Sequence, residues 1–270
     1  MPVLYLVGTP IGNLEDISLR ALRVLREVSL IAAEDTRHTG RLLHHFEINT
    51  PLISYHEHNE AQRTEQLLAH LAQGDVALVS DAGMPGLSDP GYKLVAAAVA
   101  AGIVVSPIPG PAAAIAALVS SGLPTDRFLF LGFLPRQRKA RRSALQEVAN
   151  LPFTLVLYEA PHRLAALLAD VVQELGNRPV TIARELTKLY EEFWRGTAED
   201  AAAHFGQEQV RGEVTVVVGG AAPAGSEPWT EAEVRAALAD QLAQGLPRKT
   251  AAAVVAAQAG WRKRDVYALA

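Results

Sequence analysis

Between Ser80 and Gly91 the chain reads Ser-Asp-Ala-Gly-Met-Pro-Gly-Leu-Ser-Asp-Pro-Gly, with three glycines, two prolines and two aspartates in twelve residues. Glycine loses the most backbone freedom on ordering and proline lacks an amide donor, so this stretch suits neither a helix nor a strand interior. It follows Val76-Ala77-Leu78-Val79, the short continuous apolar run of a buried parallel strand. Open α/β sheets bind ligands in the crevice at the carboxyl ends of such strands, and an irregular loop this long in a compact domain is usually functional. Three more polar or small-residue stretches also follow apolar runs: Gly8 to Asn13, Glu34 to Arg37, and Pro109 to Ala113. Their convergence would let a flat ligand lie against backbone amides and carbonyls. Neither a G-x-G-x-x-G fingerprint nor a Gly-Lys-Ser/Thr phosphate loop is present, which points to a ligand held through a nucleoside rather than through phosphates.

Other chemistry-bearing groups are scattered. Tyr158-Glu159-Ala160-Pro161-His162-Arg163 closes a later apolar run, and Arg184 to Lys188 and Glu191 to Gly196 add charge nearby. His56 and His58 alternate as strand residues do, but a third ligand is missing from their vicinity, so no metal site is expected. Pro135 to Arg142 carries five cations (Arg136, Arg138, Lys139, Arg141 and Arg142) and no acid, fitting either a solvated helix face or phosphate contacts. The absence of cysteine excludes disulfides, thiolate metal sites and a cysteine nucleophile. A net charge of −4 over 270 residues confines any nucleic-acid contact to a local patch. With no signal-like start and no apolar run of membrane length, a soluble cytoplasmic protein without membrane contact is expected.

The elements that must position these groups alternate along the chain. Strands are expected at Val3 to Val7, Leu30 to Ala33, Leu52 to Tyr55, Val76 to Val79 and Val104 to Ile108. Helical patterns lie between them, from Ser18, from Thr39 to Phe46, from Asn59 to Gln73 and from Tyr92 to Ala101, and a further helix runs from Ala112 to Ser120. This βαβ alternation predicts a parallel sheet in an α/β domain over residues 1–121. After Gly122-Leu123-Pro124-Thr125 it restarts in a second α/β domain, 122–222, with strands at Phe128 to Phe133, Phe153 to Leu157, Val180 to Arg184, Tyr190 to Gly196 and Val214 to Val218. Its helices fall at Lys139 to Ala149, Arg163 to Leu175 and Ala198 to Phe205, and the hairpin-like pair near Glu185 to Arg195 implies a mixed sheet. Ala221 to Pro228 reads as a connector to a small helical domain, 228–270, with helices at Thr230 to Gln244, at Lys249 to Ala259 and from Lys263. Its basic group Arg262-Lys263-Arg264 suits either an RNA-binding module or a dimer contact.

Taken together and in order, Gly8 to Leu14, Glu34 to Arg37, Ser80 to Gly91, Pro109-Gly110-Pro111 and Tyr158 to Arg163 resemble the tetrapyrrole methylase superfamily, and within it the ribosomal RNA small subunit methyltransferase I branch. The resemblance spans about residues 3 to 220. It implies a two-domain class III methyltransferase fold that binds S-adenosylmethionine in the cleft between its domains. It further implies a homodimer that methylates the ribose 2′-hydroxyl of a cytidine in the decoding region of 16S ribosomal RNA, as free RNA or as the small subunit. On that resemblance Thr9, Pro10, Asp81, Ala82, Gly83, Ser88, Ala112 and Ala113 are expected to hold the cofactor, with Tyr158, Glu159 and Ala160 closing from the second domain. Ala112 departs from the serine frequent after Pro-Gly-Pro in relatives, removing one hydroxyl. Glu34, Asp35 or His56 is expected as the base by location, with Arg37 steering RNA and Arg136, Arg138, Lys139, Arg141 and Arg142 contacting it. A tetrapyrrole methylase and a non-catalytic RNA-binding protein are the rival expectations.

Overall fold

Val3–Val7 (β1), Leu30–Ala33 (β2), Leu52–Ser54 (β3), Val76–Val79 (β4) and Val104–Ile108 (β5) form one sheet in the order β3-β2-β4-β1-β5, every pair parallel. Between the strands run Leu19–Glu27 (α1), Thr36–His45 (α2), Glu60–Leu71 (α3) and Tyr92–Ala100 (α4), and Ala113–Ser121 (α5) follows β5. Side chains pack on both faces of the sheet, Val7, Leu25 and Ile31 in one cluster and Leu4, Leu67, Leu78 and Leu94 in the other. That two-sided burial is why the strands read as unbroken apolar runs. The chain is described at residues 2–207, 210–222, 229–243, 245–259 and 261–269, and divides by contact into one unit of Met1–Ala221 and another of Ala222–Ala270.

Loops after β1, β4 and β5 are tied to one another. Thr9 and Gly83 exchange backbone hydrogen bonds of 2.9 and 3.1 Å, and the Thr9 hydroxyl donates to the Ser80 carbonyl. Gly8 and Gly110 touch back to back: a Cβ on Gly8 would stand 2.7 Å from both Gly110 Cα and Met84 Sδ. No larger residue fits either position without moving a strand end.

The second sheet contains Phe128–Phe133 (β6), Thr154–Glu159 (β7), Pro179–Arg184 (β8), Glu192–Thr197 (β9) and Val214–Val218 (β10), ordered β6-β7-β10-β8-β9. Only β6 and β7 run parallel; β8 and β9 form the expected hairpin. Arg138–Glu147 (α6), Leu164–Leu175 (α7) and Ala198–Phe205 (α8) cover one face. The other face meets α5, where Ala114, Ala117 and Leu118 pack on Val156, Ala183 and Val217. The expected break after residue 121 thus falls between two sheets of one unit, and α5, which follows the first sheet in the chain, packs on the second.

Two boundary differences matter for the site. α2 begins at Thr36 rather than Thr39, because the Asp35 carboxylate accepts the Arg37 amide at 2.8 Å and caps the helix. β7 runs on past Leu157 through Tyr158 to Glu159, so both are strand residues rather than loop residues.

In the second unit Glu231–Ala243 (α9), Arg248–Ala259 (α10) and Lys263–Ala268 (α11) enclose Val234, Leu238, Ala252, Val255 and Val266. Trp261 Nε1 donates to the Trp229 carbonyl at 2.7 Å. Residues 223–228 of the expected connector, and Gln244 at the end of the first expected helix here, lie outside the described residues. No helix among the described residues is long and apolar enough to cross a membrane.

Candidate active site

A cavity of about 350 Å³ lies in the first unit, walled by the loops after β4 and β5 on one side and by β6, β7, β8 and the start of β10 on the other. Of the residues expected to hold a cofactor, Ala82, Gly83, Ser88, Ala112, Ala113, Tyr158, Glu159 and Ala160 line it. Thr9, Pro10 and Asp81 do not: Thr9 is buried behind the wall, where it fixes the Ser80–Gly83 turn, and Asp81 accepts the Asp35 amide at 3.1 Å. Ala112 caps α5 without a side-chain acceptor, and the Tyr158 hydroxyl takes that place by accepting the Ala114 amide at 3.2 Å. A bond across the seam therefore replaces the local one that a serine hydroxyl offers at a helix start.

The floor holds an unusual carboxylate. Glu159 has a fully buried side chain; its Oε1 accepts the Ala160 amide at 2.8 Å and lies 3.1 Å from Arg163 Nε. Its Oε2, equally buried, has no hydrogen-bond partner in the protein. A buried carboxylate oxygen without a donor is uncommon in a folded protein, and this one lies beneath the cavity wall.

Asp89 also lines the cavity, though it was not among the residues expected to act there. Burial, followed by the charges of Glu34 and Asp81, pushes its carboxyl up from 3.8 to about 6, against a hydrogen bond from Ser80 that favours the anion. Such a group is ionised near neutrality yet basic enough to accept a proton. Glu34 stands beside it, accepting the Asp81 amide at 3.3 Å, and burial raises its carboxyl too. It is not a cavity-wall residue.

The other expected bases are corrected by their surroundings. Asp35 is gripped by Arg37 through Nε at 3.1 Å and Nη2 at 2.8 Å, which holds its carboxyl far below the usual range and leaves it a poor base. Arg37 is correspondingly occupied by that fork. His56 Nε2 meets Asn59 Nδ2 at 3.1 Å, while Asn59 Oδ1 accepts the His56 amide; this orients Asn59 Nδ2 as a donor and engages the imidazole lone pair. His56 is also absent from the cavity wall. Among the described residues no group of three or more His, Asp or Glu side chains could hold a metal ion.

The basic run divides. Arg141 is buried and forks onto the fully buried Asp170 of α7 at 2.6 and 2.8 Å, so it cannot reach RNA. Arg138 joins the same carboxylate at 3.2 Å and Arg142 pairs with Glu174. These three fasten α6 to α7, whereas Arg136 and Lys139 are exposed, with no ion pair among the described residues. Met84 and Leu87 come from the Ser80–Gly91 loop expected at the crevice, whereas Phe133, Ala183, Leu186 and residues 212–215 also line the wall and were not anticipated. They are apolar or flank a strand start, and only the three-dimensional register brings them together.

Comparison with known proteins agrees with this geometry. Residues 3–202 match the family Tetrapyrrole (Corrin/Porphyrin) Methylases. The chain is 52% identical to Ribosomal RNA small subunit methyltransferase I of Synechocystis sp., covering 100% of this chain and 97% of that protein. It is 51% identical to the protein of the same name from Halalkalibacterium halodurans, over 98% and 93%. Among solved structures, uroporphyrin-III C-methyl transferase from Thermus thermophilus, complexed with S-adenyl homocysteine, shares the fold with a TM-score of 0.55 at 22% identity, covering 81% of this chain and 97% of that one. On these grounds the chain belongs to the tetrapyrrole methylase family, and within it to the ribosomal RNA small subunit methyltransferases I.

Proposed function

We propose that this chain is an S-adenosylmethionine-dependent methyltransferase that modifies the ribose 2′-hydroxyl of a cytidine in the decoding region of 16S ribosomal RNA, with Asp89 accepting the hydroxyl proton. The observation that carries it is one cavity in which the Asp89 carboxyl stands among the small residues Ala82, Gly83, Ala112 and Ala113. The full-length likeness to proteins named for small-subunit ribosomal RNA supports the substrate.

The cavity suits a nucleoside-bearing donor. Ala82, Gly83, Ala112, Ala113 and Ala160 present small side chains or none, leaving backbone groups within reach. S-adenosylmethionine, when bound, supplies an electrophilic methyl group on a sulfonium. Thr9 and Asp81 act one layer back by holding the loops that the cofactor rests on. Methyl transfer needs the nucleophilic oxygen in line with the departing sulfur, so the rigid seam contributes by positioning while Asp89 removes the proton. Burial first, and then the charge of Glu34, keeps Asp89 basic.

Arg136 and Lys139 are the cations of the basic run available for RNA phosphates. The proposal includes a cytoplasmic homodimer, for which the exposed Ile115 and Val119 of α5 and Val104 on the edge strand β5 offer an apolar surface. Tritiated methyl transfer to small ribosomal subunits and to free 16S RNA, with the product nucleoside mapped, tests it. Label in a 2′-O-methylcytidine is expected. Transfer to a tetrapyrrole, or binding of RNA with no transfer, would overturn it.

A further inference from the structure

β6 carries a bulge. Phe130 pairs with Val156, but Gly132 pairs with Leu157 and Phe133 with Tyr158, so one residue is inserted between them. Strict alternation would send Phe133 to the side of Leu129 and Leu131, into the core under α6 and α7. The insertion re-aims it onto the opposite face beside Tyr158, 5.5 Å between ring centroids, at the cavity wall. Gly132 makes the turn possible: its φ is +59°, and a Cβ there would stand 2.8 Å from Ser88 Oγ. Phe133 nevertheless remains 57% exposed.

The surroundings are rigid. Tyr158 packs edge-on against Phe130 at 5.0 Å and is pinned through its hydroxyl to α5. Arg163, paired with Glu159, donates Nη2 to the Leu134 carbonyl at 2.9 Å and the Pro135 carbonyl at 3.3 Å, fixing the backbone just past Phe133. The next exposed cations outside an ion pair are Arg136 and Lys139, the exposed Arg138 between them being paired with Asp170, and no acid occurs between Phe133 and Arg142. An exposed aromatic ring on a firmly held stretch of backbone at a cavity wall, followed in the chain by exposed cations, has the composition that single-stranded nucleic acids are gripped by.

Resting on the methyltransferase assignment above, we propose that Phe133 is the platform on which the base of the target nucleotide stacks after leaving its helix, with Arg136 and Lys139 holding the neighbouring phosphates. An enzyme acting on a sugar hydroxyl inside folded RNA must draw that nucleotide out, and a fixed π-face compensates for the stacking it loses.

The test uses the full chain, small ribosomal subunits as substrate, and S-adenosylmethionine binding measured separately by calorimetry. Phe133→Ala is expected to raise KM for RNA by roughly tenfold to a hundredfold with cofactor affinity unchanged, and Phe133→Trp to restore it. Neutralising Arg136 and Lys139 to Gln should make the dependence of log KM on log salt shallower by about 1.4. Loss of cofactor affinity in Phe133→Ala with an unaltered KM for RNA would overturn the proposal and make Phe133 an adenine contact. A change only in oligomeric state would overturn it in favour of an interface between copies. A parent that methylates RNA and an alanine variant that matches it would remove the platform and leave the methyltransferase assignment standing; a parent that transfers no methyl group to RNA would remove both.

Discussion

Replacing Asp89 with asparagine keeps the shape of the cavity wall and deletes one titration, so it separates the chemical role of this carboxyl from its packing. In the folded protein the group binds its proton more tightly than in the unfolded chain, 3.8 moving to about 6. Taken at face value that difference is ~3 kcal/mol of strain on the ionised form. Because the side chain is only half-buried, solvent screening reduces it to about 1 kcal/mol. The sign follows from proton linkage: native Asp89 holds the extra proton between about pH 4 and 6, so the parent loses stability as pH rises through that window and levels off above it. Asp89→Asn should therefore be more stable than the parent by about 1 kcal/mol near pH 7.5, the gap closing toward pH 4, as read from urea melts at both values. Methyl transfer at saturating cofactor and RNA should fall by roughly 10²–10⁴, and the parent's rate should climb about tenfold per pH unit below 6 before reaching a plateau. An asparagine variant with undiminished transfer would refute the base assignment. A pH-independent stability gap would refute the idea that burial raises this carboxyl.

Three further outcomes follow from the geometry. Asp170→Ala leaves Arg141 buried without its counter-ion and should cost about 3–5 kcal/mol in a denaturant melt, whereas Arg136→Ala should be neutral there. Gly110→Ala places a Cβ 2.8 Å from Gly8 Cα, between two strand ends that cannot both yield, and should cost roughly 1–3 kcal/mol and weaken cofactor binding in calorimetry. Asp35→Asn retains a good helix cap while removing the charge, so methyl transfer should stay at the parent level; a loss like that expected for Asp89 would restore Asp35 as the base.

The layer order and strand positions were legible because the central strands of the first sheet, β2 and β4 above all, are buried on both faces and announce themselves as unbroken apolar runs. The small-residue wall of the cavity was legible as well, since Ala82 and Gly83 sit in a loop, and Ala112 and Ala113 at a helix start, that neighbouring glycines and prolines mark. Legibility failed where partners are distant in sequence. Nothing near Arg141 discloses that Asp170, on another helix, removes it from the surface, so five cations read as one patch. Asp35 looked like a strand-end acid because a cap and a base share the same residue type, and the Arg37 fork that decides between them is a matter of rotamers. Asp89 was hidden by its own proline: the Asp-Pro pair is a turn signal, and the charges that raise its carboxyl arrive from Glu34 and Asp81 through the fold. Phe133 needed the bulge, which shifts a side chain across a sheet without leaving any mark in an apolar run.

Helix α5 is contiguous in chain order with the first sheet and roofs the second through Ala114, Ala117 and Leu118. Peeling the sheets apart would tear Ile11, in the loop after β1, out of that same cluster and part Gly12 from Leu186 and Lys188, so they should melt in one transition rather than as two beads on a string. The recess between them is then a standing feature rather than a hinge that must swing shut, and whatever occupies it tightens both halves at once.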